Sequence, residues 1–174
     1  MGIRYYAYAF DSDQTEKALA DPLTVIGSDP LADALGLEPG FTHGVTDFRQ
    51  PLPERDFLYL DEAWPHLQWL TARRSSGAGA RAAYRMFEGQ VTNTDGGCTW
   101  WPGVRALPPH EVEPVARDLE TISDRDIEAG LGGFFSARQS LESELAYATQ
   151  FLYRARDFAD AVASEGRGFA YMIG

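Results

Sequence analysis

Ile3-Arg4-Tyr5-Tyr6-Ala7-Tyr8-Ala9-Phe10 decides the fold. The run is rich in aromatic and β-favouring residues, so it reads as a strand. Both of its alternating faces are largely apolar, the pattern of a strand covered on two sides. A strand of that kind sits inside a sheet with helices above and below it. Gly168-Phe169-Ala170-Tyr171-Met172-Ile173, at the other end of the chain, repeats the pattern and reads as a second buried strand. With the chain stopping inside the sheet, a C-terminal extension is expected to perturb folding.

Working inward, Asp11-Ser12-Asp13-Gln14 has capping-box spacing and predicts a helix to about Ala20, stopped by Asp21-Pro22. Asp29-Pro30 predicts an N-cap and a proline at the first helical position, with Gly36 as terminator. From Glu38 to Arg55 the chain reads as a long surface loop. Phe57-Leu58-Tyr59-Leu60 is a short strand, and Asp61 is placed to cap a helix from Glu62 to about Ala72. Arg81 to Phe87 is helical up to Gly89. Short strands at 90–92 and 99–101 flank the turn Asn93-Thr94-Asp95-Gly96-Gly97.

Val112, Val115, Ala116, Leu119 and Ile122 stripe a helix from Pro109 to Ile122, which Pro114 is expected to kink or delay. Ser123 starts a further short helix, ended by Gly130. Ser136 caps the longest helix, to about Ser164, with Leu141, Leu145, Ala148, Leu152, Ala155, Ala159 and Val162 spaced four and three apart. That stripe lasts only about three heptads, so a helix packed on a sheet is favoured over a coiled coil, and monomer and homodimer both stay open. Strands alternating with helices predict an α/β class: one domain over 1–174, a mixed β-sheet with helices on both faces, a three-layer αβα sandwich.

Composition narrows the function. The 174 residues carry a formal net charge of −11, from 26 acidic and 15 basic residues. Affinity for phosphate backbones and anionic membranes comes from Lys and Arg, so nucleic-acid and membrane partners are not expected. A lone cysteine, Cys98, rules out an intrachain disulfide and a cysteine-based zinc site. The N-terminal residues do not resemble a signal peptide, and no apolar run is long enough to cross a membrane. A cytoplasmic location is the expectation.

No catalytic residue stands out. His43, His66 and His110 lie in separate segments without metal-pair spacing, so no metal is expected. There is no nucleophile elbow. Cys98, beside a Gly-Gly turn, reads as a small buried residue rather than a thiolate. Gly77-Ala78-Gly79 follows a helix rather than a strand and lacks a third glycine, so no dinucleotide or other cofactor is expected.

One stretch departs from the acidic background. Ala63 to Phe87 has no acidic residue and holds Arg73, Arg74, Arg81 and Arg85. Guanidinium forks beside a Ser/Gly loop suit a small anionic ligand, with Asp61, Trp64 and His66 as neighbouring candidates. The competing reading is arginines paired with carboxylates elsewhere in the fold. Trp100-Trp101-Pro102 is a candidate protein-binding patch, in which at least one indole is expected to pack inward.

Three segments carry a family likeness: the Met1-Gly2-Ile3 strand with its helix, Leu58-Tyr59-Leu60-Asp61-Glu62-Ala63-Trp64-Pro65-His66-Leu67, and Val104 to Val112 continuing to Ser123-Asp124. With the closing helix and strand, the chain resembles the YfbM-like family of small bacterial proteins. That resemblance implies a single αβα domain of uncharacterised function and transfers no catalytic residue. Asp61, Trp64 and Leu67 match the family pattern. Glu62 stands where lysine is usual, Gln68 where histidine is common, and Glu88-Gly89 keeps half of a Gly-Gly pair. The expectation is therefore a non-catalytic binding or protein-interaction domain. The alternative is an enzyme acting on a small anionic substrate held by the 73–85 stretch.

Overall fold

Alternation along the first strand organises the molecule. The computed structural model describes residues 2–37, 50–72, 79–94, 96, 99–132 and 141–174. In β1 (Tyr5–Phe10), Tyr5 and Ala7 enter the main core while Tyr6, Tyr8 and Phe10 enter two smaller clusters on the opposite face. β6 (Gly168–Ile173) does the same, with Phe169, Tyr171 and Ile173 on the main side and Ala170 and Met172 on the other. Both strands are central. The sheet order is β2 (Phe57–Asp61), β1, β6, β5 (Gly103–Leu107).

Helices cover both faces, as the buried strands demand. The thinner layer holds α1 (Thr15–Ala20), α2 (Pro30–Leu35) and a 3-10 turn at Pro22–Thr24. The thicker layer holds α3 (Trp64–Ala72), α4 (Tyr84–Phe87), α5 (Pro109–Glu120), α6 (Asp124–Leu131) and α7 (Leu141–Ser164). The result is a three-layer αβα arrangement. One detail differs from expectation: the sheet is not mixed, because every pairing of these four strands is antiparallel. Parallel neighbours come from single-helix crossovers. Here two long helices, α5 and α7, pack on each other between β5 and β6, so the chain enters β6 from the far end.

Local signals behave unevenly. Asp29 accepts from the Ala32 amide at 3.1 Å, and Gly36 closes α2 in the left-handed region. Ser123 and Asp126 form a complete capping box on α6, which runs through Gly130 to Leu131. Asp11 does not cap. Its segment opens as a 3-10 turn, and the carboxylate pairs instead with Arg167 at 2.9 Å. Pro114 does not delay α5, which starts at Pro109 and continues past it to Glu120. The bond it omits belongs to the carbonyl of exposed His110, which water can satisfy. The strand Gly103–Leu107 is not anticipated by the sequence pattern, since Arg105 breaks its alternation at a sheet edge.

The α7 stripe is consumed inside the domain. Ala148, Leu152, Ala155, Ala159 and Val162 are buried in the main core together with Phe151 and Phe158. Gln68 bridges α3 to the end of α4, donating to the carbonyls of Phe87 at 2.7 Å and Gly89 at 2.8 Å. The expected Ser136 cap and the loop from Glu38 to Arg49 lie outside the described residues.

Candidate functional site

A β-bulge builds the corner where β2 meets α3. Tyr6 pairs with Tyr59 and Tyr5 with Asp61, so Leu60 is an extra residue on β2. Leu58 and Leu60 both stay in the main core, and Asp61 absorbs the turn with φ 50°. Aspartate tolerates that left-handed conformation better than most residues. The bulge turns the Asp61 carboxylate away from the helix it was expected to cap. Accordingly α3 starts at Trp64 rather than Glu62, with Ala63 accepting its first bonds from His66 and Leu67.

Three donors converge on that carboxylate. Oδ1 accepts from the Tyr59 hydroxyl at 2.8 Å and from Arg4 Nε at 3.1 Å, and Oδ2 lies 3.3 Å from the Tyr147 hydroxyl. Arg4 also donates to the Gly2 carbonyl at 3.0 Å and approaches Glu62 at 3.8 Å. Trp64 is half-buried against the main core, and its indole N–H donates to the Ile3 carbonyl at 3.1 Å. His66 Nε2 sits 3.9 Å from Glu144, with the imidazole edge-on to the Tyr147 ring.

The electrostatics make this corner a hydrogen-bonding site. Burial, then the Asp61 carboxylate, raises the Tyr59 phenol well above its usual value and Tyr147 to about 12. Both therefore stay protonated donors at neutral pH. Burial also lowers His66, against the opposing pull of Glu144, so its imidazole is neutral near pH 7. For Arg4, burial works against the charge, but Tyr59 and Asp61 outweigh it and raise the guanidinium further. With Asp61 and Glu62 beside the one guanidinium and Glu144 beside His66, the corner suits a hydrogen-bonding or cationic group better than an anion. Among the described residues no cluster of His, Cys, Asp or Glu could hold a metal ion.

The structure thus brings Asp61, Trp64 and His66 together and places Arg81 and Arg85 in another network, on α5. Arg81 forms a two-pronged bond with Asp118, Nη2 to Oδ1 at 3.0 Å and Nε to Oδ2 at 3.2 Å, and also reaches the Thr121 hydroxyl. Asp118 also accepts from the Ala83 amide at 2.9 Å. Arg85 pairs with Glu111 at 2.7 Å and Glu88 at 3.1 Å. Arg73, Arg74, His43, Cys98 and the Gly77-Ala78 pair lie outside the described residues. Sequence reasoning missed Arg4, Tyr59 and Tyr147. Arg4 was the legible one, as the lone charge in an otherwise apolar strand.

Trp100 and Trp101 form β4, which pairs with β3 (Thr92–Asn93) as a separate two-stranded ribbon. Trp100 is half-buried and Trp101 is 69% exposed. Clefts run along α7. One of about 220 Å³ lies between its middle and β2, and one of about 680 Å³ adjoins it under residues 50–54. Neither is lined by Asp61, His66, Arg81 or Arg85.

No protein-family model matches the chain, and no curated protein matches it. Among solved structures, the fold is similar to the crystal structure of YfbM from Escherichia coli, a protein of unknown function. The TM-score is 0.56 at 15% identity, over 99% of this chain and 100% of that one. No helix of the described residues is long and apolar enough to cross a membrane.

Proposed function

We propose that this is a non-catalytic binding domain that docks a partner protein through the β3–β4 ribbon. Trp101 carries the reading. Among the described residues it is the most exposed large hydrophobic side chain, at 69%. Around it, residues 92–94 and 99–102 are all uncharged, in a chain with net charge −11. Interface centres are depleted in charge and enriched in tryptophan, and tryptophan is among the commonest hot-spot residues.

The second reading is an enzyme holding a small anion on the 73–85 stretch. Its described arginines already have carboxylate partners, so an anion would have to displace Asp118 from Arg81, or Glu111 and Glu88 from Arg85. That favours the binding role.

The test is affinity capture on the wild-type chain and on Trp101→Ser, followed by calorimetry with the purified captured protein. The expected result is a partner bound by wild type and at least tenfold more weakly by the variant, with the thermal melt unchanged. A partner bound equally by both, or none at all, would sink the proposal.

A further inference from the structure

We infer a second, separate site: the cleft between β2 and the middle of α7 binds a small zwitterion, an α-amino acid with an apolar side chain. All described arginines except Arg125 and Arg154 meet a carboxylate. Arg125 is exposed on α6. Arg154 is half-buried and lines both clefts along α7, its guanidinium 5.7 Å from the centre of the Phe151 ring. Its guanidinium thus lies over that ring at the wall of both clefts.

The rest of the lining selects the ligand. Glu54 and Asp157 line the same cleft, and among the described residues neither is in an ion pair. Arg55, also on the rim, faces Asp56 and Glu165. A phosphate dianion would gain one unpaired guanidinium and meet two carboxylates, so repulsion would offset the attraction. A zwitterion meets both signs, its carboxylate on the Arg154 fork and its ammonium between Asp157 and Glu54. Phe57, Leu58 and Phe158 make an apolar floor, each at most 2% exposed. The volume of about 220 Å³ falls below the roughly 300–1,000 Å³ of sites for drug-sized ligands, which suits one amino acid.

The test measures the melting temperature of the full chain with each free α-amino acid, with N-acetyl-leucine and with inorganic phosphate. Calorimetry follows on wild type, Arg154→Gln and Asp157→Asn. Leucine- or phenylalanine-like amino acids should raise the melting temperature, and N-acetylation, which removes the ammonium, should abolish the effect. Arg154→Gln should weaken binding about tenfold or more, and Asp157→Asn should weaken it too. The variants' ligand-free circular dichroism and melts establish that they are folded. No shift with any amino acid would overturn the inference. So would undiminished binding to folded Arg154→Gln, or stabilisation by phosphate alone.

Discussion

Tyr171, on central strand β6, places its hydroxyl 2.6 Å from the carbonyl oxygen of Glu88, just past the end of α4. It also lies 3.0 Å from the Arg85 carbonyl, and the stacked Tyr5 donates to Met86 at 2.8 Å. A helix of four residues cannot satisfy its own carbonyls, so sheet phenols do it. Tyr171→Phe should keep the ring packing and remove the one donor shared by two part-buried carbonyls, lowering stability by about 0.5–1.5 kcal/mol. The urea midpoint should fall with an unchanged slope.

Asp118 anchors the other side of the same segment, accepting from Arg81 and from the Ala83 amide. Asp118→Asn removes the charge and replaces one acceptor oxygen with a donor facing donors. A loss of about 1–3 kcal/mol is expected in chemical denaturation.

Asp61 combines a left-handed backbone with a three-donor carboxylate. Asp61→Asn keeps the conformational tolerance and one acceptor. Asp61→Ala loses both, and the backbone alone costs about 1–2 kcal/mol. Alanine should therefore lower the melting temperature clearly more than asparagine. Equal losses would show that the left-handed backbone and the remaining acceptor contribute little.

His66 sets a pH dependence. Its folded-state value lies below the ordinary 6.5, chiefly through burial. The unfolded chain thus binds the proton more readily, and stability rises with pH in the window between the two values. The His66 contribution is fully present above about pH 6.5 and is lost as pH falls through the folded value. His66→Gln should flatten that part of a stability–pH curve, and imidazole NMR titration should place His66 below the ordinary 6.5.

What the sequence made legible was periodic or local. Strands β1 and β6, the α5 face, the Asp29 cap and the Ser123 box follow from spacing alone. The antiparallel sheet depends on how α5 and α7 pack, which no window of residues contains. Asp61 was visible as a polar residue at a strand end. Its role turned on the Leu60 bulge and on Tyr147, 86 residues away. The carboxylates that claim Arg81 and Arg85, in α5 and at Glu88, likewise appear only once α4 docks against α5.

The pairing of β1 with β6 has a consequence for synthesis. Arg4 and Gly174 exchange backbone hydrogen bonds at 2.9 Å, so the two middle strands of the sheet are separated by almost the whole chain. Such a contact order slows folding, because the loop entropy is lost before the sheet is gained. On the ribosome, β1 can pair with β2 early, but its other edge must wait for residues 168–173. Until then an apolar, aromatic strand edge stands open to other nascent chains. Chains truncated before Gly168 should therefore aggregate rather than form a smaller native domain.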